Sequence, residues 1–299
     1  MNPFLKLCLI SYMMVMLPGS FLPAPVLAQG RLHVAVSILP QKYFVERISG
    51  NLADVSVMVE WGANPHLYEP KPLQMAALAE TAVYFAIGVG FEDVWLKKIS
   101  EINPQMIIVQ TDRGIRKRPM DTTGHQDLNR HHPSEKKISP DPHVWTSPSN
   151  VMILAQNILN GLITVDPASK STYSANYRRF IDEIHDLDTV FKRIFSGKEG
   201  LEFMVFHPAW GYFADAYGIR QVPVEIEGKE PKPAQLKHLI MHARERSIKV
   251  IFAQPQISLQ SARTLAKAIG GEVVLADPLA ENWMESLKVQ AENFRAALR

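Results

Sequence analysis

Cysteine is almost missing: Cys8 is the one Cys in 299 residues. A single thiol excludes an internal disulfide, a Cys-rich zinc site and a cluster held by several local Cys. An excess of one charge is missing too. The 32 Lys and Arg against 30 Asp and Glu leave a formal +2, which gives no electrostatic case for nucleic acid. The 21 Pro and 16 Gly follow no repeating triplet, so collagen is excluded. No stretch holds 18 consecutive apolar residues, so no segment reads as a membrane-spanning helix. Neither the phosphate-cradling G-x-x-x-x-G-K-[ST] nor G-x-S-x-G occurs, and there is no H-E-x-x-H. What is present is ordinary for a globular chain: 46% hydrophobic and 21% charged residues, which rules out wholesale disorder.

Residues 1–28 read as a secretory signal peptide. Lys6 supplies the positive start, an apolar run follows, and Val26-Leu27-Ala28 supplies a small-x-small ending. Pro18, Pro23 and Pro25 interrupt the run, which falls short of the roughly 20 residues needed to cross a bilayer. Cleavage near Ala28 removes Cys8, which lies inside the apolar run rather than at its end, the wrong place for a lipid-attached Cys. A soluble, exported, periplasmic protein is expected.

Beyond that point short apolar strands alternate with amphipathic helices, the pattern of parallel βαβ units. Strands are expected at 33–37, 55–59, 82–87 and 106–110, with helices at 41–49, 73–80 and 92–102. Residues 112–140 are polar and basic and read as a long loop. A helix over 148–164 follows, and then a long one over 167–195, with Asp166 placed to cap it and Pro167 at its first position. Tyr173, Tyr177, Phe180, Ile184, Leu187 and Phe191 form one apolar stripe along it. After Gly200 the alternation restarts: strands at 203–206, 221–224, 249–252 and 273–275, and helices at 209–217, 234–246, 259–269 and 283–298. The fold class is therefore α/β. Two similar lobes with parallel sheets, 29–164 and 198–299, are joined by a rigid helix over 165–197, with a cleft between the lobes.

Four polar residues fall where a strand gives way to a loop: His66, His143, His207 and Asp277. Open parallel sheets bind ligands at the carboxyl ends of their strands. Two of the four belong to each lobe, and three imidazoles with a carboxylate make a complete zinc shell. Glu69 and Asp141 are placed either to orient ligating imidazoles or simply to face solvent; with Glu225 and Glu227 they are the further carboxylates near strand ends. Trp61, Trp145 and Trp210 adjoin these positions and are expected either to wall the site or to fill the core. The remaining His read as follows: His33 a partly buried strand residue, His185, His238 and His242 solvated helix residues, and His125, His131 and His132 loop residues able to catch ions transiently. His238 and His242 stand four apart, a spacing that could hold a metal only adventitiously. The basic run from Arg113 to Arg118 reads as a solvated loop.

Several segments in order resemble a known family: residues 64–70 (NPHLYEP), 86–92 (AIGVGFE), 141–145 (DPHVW), 206–209 (FHPA) with 211–214 (GYFA), 227–231 (EGKEP) and 277–279 (DPL). They are similar to the zinc-binding substrate-binding proteins of bacterial ABC transporters, and the resemblance covers roughly residues 31–297. It implies metal ligation by His66, His143 and His207, with Asp277 as the fourth ligand; in some members a loop Glu or water takes that place. Members selecting manganese carry Glu where this chain has His207, so zinc is implied, in keeping with the preference of imidazole for zinc. Family members also carry a His-rich loop where residues 112–140 lie, here with three His only. Gln254 stands where many relatives have Glu.

The expected function is that of a monomeric, high-affinity receptor holding one Zn²⁺ and delivering it to a membrane permease driven by an ATPase, with no bond made or broken. A rival reading is a secreted zinc hydrolase using Asp277 or Glu69 as general base. Two more rivals are a manganese receptor of the same family and a surface adhesin of the same architecture.

Overall fold

The computed structural model describes residues 30–121, 139–226, 228–257 and 259–298. Arg31–Arg299 form one compact unit. The expected signal segment, Glu227 and the loop residues His125, His131 and His132 lie outside the described residues.

The first half runs β1 (Leu32–Ile38), α1 (Leu39–Ser49), β2 (Ala53–Val59), α2 (Pro72–Ala77), β3 (Val83–Ala86), α3 (Gly90–Ile102) and β4 (Ile107–Gln110). Its strands form a parallel sheet in the order β2-β1-β3-β4, with Val34 paired to both Val55 and Val83. Residues Val34 to Ser37 of β1 are buried without a break, as a strand covered by helices on both faces must be. The edge strand β4 is exposed at both ends, Ile107 and Gln110, and half-buried at Ile108 and Val109 between them.

Helices α4 (Pro148–Val165) and α5 (Lys170–Phe195) connect the halves in sequence. Pro167 opens a 3₁₀ turn over Pro167–Ser169 rather than the α-helix itself, and Asp166 accepts the Tyr173 hydroxyl at 2.7 Å. The expected stripe forms: Tyr173, Phe180, Ile184, Leu187 and Phe191 are buried and Tyr177 half-buried. At about 1.5 Å per residue, the 26 residues of α5 span roughly 39 Å.

The second half repeats the plan: β5 (Glu202–Val205), α6 (Gly211–Ala216), β6 (Arg220–Pro223), α7 (Pro233–Glu245), β7 (Val250–Ala253), α8 (Gln260–Ile269), β8 (Glu272–Leu275) and α9 (Trp283–Ala297). The sheet order is β6-β5-β7-β8, again parallel. In each sheet the winding direction reverses between the two central strands, which opens a crevice at their carboxyl ends. The expected helix at 209–217 is shorter, because Pro208 and Ala209 form the turn that leads into α6.

The main hydrophobic core is continuous between the halves. It runs from β1, β3, α1 and α4 through the α5 stripe to Phe203, Phe213, Phe252 and Phe294. A smaller cluster lies between the second sheet, α7 and α8. Trp283 at the start of α9 meets Phe44 of α1 edge-on at 5.2 Å. Its indole N–H donates to the Trp145 carbonyl at 2.8 Å, and the Trp145 indole donates to the Pro278 carbonyl at 2.7 Å. Among the described residues no helix is long and apolar enough to cross a membrane.

Candidate metal centre

His66 lies on the connection from β2 to α2. Asn64 accepts the His66 backbone N–H on its side-chain oxygen at 2.9 Å, a local turn typical of Asn. The loop is seated on the start of α3: the Phe91 N–H donates to the Pro65 carbonyl at 3.1 Å. Gly90 allows this approach, because a Cβ there would lie 3.4 Å from the His66 Cα and carbonyl oxygen. The turn before α3 needs Gly88 at φ +82°. It is held from inside by Glu92, which accepts the Ile87 and Gly88 N–H groups and the Ser37 hydroxyl. Burial pushes the Glu92 carboxyl above its ordinary range.

His143 opens the 3₁₀ turn over Val144–Thr146 and is buried. Asp141 accepts both its backbone N–H at 2.9 Å and its Nδ1–H at 2.8 Å. His207 follows β5, and its Nδ1 lies 2.6 Å from Glu225 Oε2. A neutral imidazole facing a carboxylate through Nδ1 must carry its proton there, which leaves Nε2 with a free lone pair. Two of the three rings are therefore fixed in the tautomer that ligates through Nε2. The Nε2 of His207 is buried and has no hydrogen-bond partner among the described residues, an arrangement that costs stability unless something binds there.

The three rings converge. Their centroids lie 5.2–5.4 Å apart, and one ring nitrogen from each lies within 4.8 Å of the others. Tetrahedral zinc with Zn–N bonds of ~2.0–2.1 Å places its nitrogens ~3.3 Å apart, so closure on an ion requires movements of no more than roughly 1.5 Å. Burial, followed by the proximity of His143 and His207, lowers the pKa of His66 to about 3. Burial likewise lowers that of His143, although Asp141 opposes the shift. His66 and His143 are thus held neutral, the form that binds metal. The site opens on a cavity of about 620 Å³ lined in part by Trp145, Glu225 and Gln254.

The other candidate residues are placed differently. The Asp277 carboxylate is not in the group of converging atoms; it accepts from the Gln256 side chain and the Leu279 N–H, both at 2.9 Å. Glu69 is exposed and does not line the cavity. Of the three tryptophans only Trp145 walls the cavity. Trp61 is 74% exposed, and Trp210 packs into the core against Phe213 and Phe294. His185 and His238 are exposed, in line with expectation. His33 is exposed as well, against the expectation of partial burial. His242, expected to be solvated, is buried against Glu202 at 2.8 Å: its helix turn faces the sheet, so a polar side chain there needs an internal partner.

The expectation of a solvated basic loop fails at two positions. Lys117 pairs with Asp112 at 2.7 Å. Arg118, with only 16% of its side chain exposed, reaches Asp121, Asp141 and Asp215. The charge run carries no sign of this, because the acidic partners lie up to 97 residues away. Glu225 as the partner of His207 is visible in the sequence only as one carboxylate among several near strand ends.

A model of the family "Zinc-uptake complex component A periplasmic" (ZnuA) matches residues 34–297. The high-affinity zinc uptake system protein ZnuA of Bacillus subtilis (strain 168) is 29% identical over 253 residues, covering 83% of this chain and 79% of that protein. The zinc-binding protein AdcA of Streptococcus pyogenes serotype M18 is 25% identical over 282 residues, covering 90% of this chain and 54% of AdcA, so the chain spans about half the length of that relative. A crystal structure of ZnuA superposes with a TM-score of 0.82 at 38% identity, covering 89% of this chain and 99% of that one. A family match over nearly the whole described chain, on a fold that brings three imidazoles together, shows that the chain belongs to the ZnuA family of periplasmic zinc-uptake components.

Proposed function

We propose that this chain captures one Zn²⁺ outside the cytoplasm and hands it to the permease of an ABC-type uptake transporter. The family is one of substrate-binding receptors rather than enzymes. The observation that carries the reading is the convergence of the His66, His143 and His207 imidazoles, with the Nε2 of His207 buried. The ion is cargo, held by these three side chains. Asp277 completes the shell only by giving up Gln256 and the Leu279 N–H; otherwise water is the fourth donor. The hydrolase reading loses its general base, since Glu69 is away from the cavity and Asp277 is engaged elsewhere. An all-imidazole set of protein donors favours zinc over manganese.

In this reading residues 1–28 are removed on export and the mature receptor is a monomer. Its lobes are 29–164 and 198–299, with 165–197 as the joining helix. Native mass spectrometry of the metal-free protein with Zn²⁺ and Mn²⁺ tests the core of the proposal. One Zn²⁺ per chain is expected, with preference over Mn²⁺ and strong weakening in His66→Ala, His143→Ala and His207→Ala but not in His185→Ala. A chain that takes up neither ion, or binds Zn²⁺ equally well without these imidazoles, refutes it.

A further inference from the structure

Arg118 lies outside the set of metal-facing residues, yet it joins the surroundings of two of them. Its Nη1 donates to Asp141 Oδ2 at 3.2 Å and to Asp121 Oδ2 at 3.1 Å, its Nη2 to Asp121 Oδ1 at 3.2 Å, and its Nε to Asp215 Oδ2 at 2.8 Å. Its backbone takes part as well. The Arg118 N–H donates to the Tyr212 hydroxyl at 3.1 Å, the Asp141 N–H donates to the Arg118 carbonyl at 2.9 Å, and the Tyr212 hydroxyl donates to the Asp141 carbonyl at 2.9 Å. Asp141 is fully buried. One of its oxygens holds His143, and the other is held by Arg118.

The same guanidinium rests on α6 of the second half. A Cβ on Gly211 would fall 1.7 Å from Arg118 Nη1 and 2.5 Å from its Cζ. Residue 211 must therefore lack a side chain for the guanidinium to lie where it does. Gly211 is four residues past His207, and Asp141 is two before His143. Asp121 is also tied to the second half, accepting from the Gln221 side chain at 2.7 Å, while Gln221 accepts the Trp210 N–H at 3.0 Å.

We infer that Arg118 is a positioning residue for metal capture: lodged between Asp141 and Gly211, it sets the separation of the His143 and His207 rings across the two halves. Arginine suits this task because its planar fork serves several carboxylates in fixed directions, which lysine cannot do. The inference rests on the zinc-receptor reading above and adds to it the residue that holds two ligands in register.

The test is zinc affinity by competition with a chromophoric chelator, read beside the visible spectrum of the Co²⁺-loaded protein and the melting temperature of the metal-free protein. Arg118→Ala and Arg118→Gln are expected to weaken Zn²⁺ binding by roughly 10–100-fold, the range for loss of a group that orients a ligating His. They should also alter the Co²⁺ band intensities, which report coordination geometry. Arg118→Lys should recover part of the loss. Gly211→Ala keeps every ligand and the arginine, yet should reproduce the Arg118→Ala spectrum by displacing the guanidinium. Asp215→Asn, at an exposed position, serves as the milder variant should Gly211→Ala fold poorly, and should shift the spectrum in the same sense. Wild-type affinity with an unchanged Co²⁺ spectrum in these variants overturns the inference. So does an affinity loss that tracks melting temperature alone. Failure of the wild type to bind zinc is a different result, which sinks the receptor reading itself.

Discussion

Acidification of the metal-free protein gives the sharpest test of how the imidazoles are held. In the unfolded chain His66 titrates near ~6.5, whereas in the fold burial lowers it to about 3. Between those values the unfolded state binds a proton that the folded state refuses, so stability falls as pH falls. The contribution is fully present above about pH 6.5, is lost progressively below it, and the loss is complete near pH 3, where it reaches roughly 5 kcal/mol. At pH 5 His66 alone costs about 2 kcal/mol relative to pH 8. His143, also depressed by burial, acts in the same direction. Other groups titrate over the same range: Glu92, raised by burial, opposes the trend. The clean measurement is therefore a double difference between wild type and His66→Gln at pH 8 and pH 5, by urea denaturation with chelator present. Wild type should lose about 2 kcal/mol more than the variant, a difference of roughly 4–8 °C in melting temperature for a chain of this size. Equal losses in the two proteins, within about 0.5 kcal/mol, would refute the claim that His66 is held neutral by its surroundings. The same physics sets where protons compete with zinc. At His66 and His143 that competition begins below the ordinary imidazole range.

Three further outcomes follow from the geometry. Asp141→Asn removes the anion that holds the Nδ1–H of His143, and should weaken zinc binding by roughly 10–100-fold in equilibrium competition while the protein remains folded. Asp277→Ala should change zinc affinity by less than about threefold if the fourth donor is water, and by far more if the carboxylate swings in to ligate; calorimetry separates the two. Trp145→Phe deletes the indole N–H and leaves the Pro278 carbonyl without it. A stability loss of about 1–3 kcal/mol is expected, read by thermal unfolding of the metal-free protein.

The fold is legible because its signals are local. The runs at 33–37 and 203–206 are short, apolar and bounded, and each forms a central strand of its sheet within a residue or so at either end. The stripe on α5 announces itself through spacings of three and four, and its buried face is the one expected. What the chain does not announce is how far the halves share a core. Phe44, Phe180, Trp283 and Phe294 belong to elements more than a hundred residues apart in places, yet they lie in one cluster. No local pattern marks which apolar face meets which.

The metal centre divides along the same line. His66 and His207 follow β2 and β5, and residues beyond the carboxyl ends of parallel strands line the crevice there; His143 follows no strand but opens the 3₁₀ turn over Val144–Thr146, and only the packed fold brings it to them. Asp277 has the same sequence credentials, but its carboxylate is captured by a side chain 21 residues away and by a backbone N–H two residues on. Position at a strand end thus selects candidates, and competition among hydrogen-bond donors decides which of them stay free to ligate. The same competition explains Arg118. In sequence it is one charge in a basic run. In the fold its burial makes the three carboxylates obligatory partners, and one of those carboxylates orients a metal-facing imidazole. Which aspartates those are is settled only when β4, the segment before His143 and α6 come together. Candidate ligands are therefore readable from the chain, while the groups that orient each imidazole are a property of the packed structure.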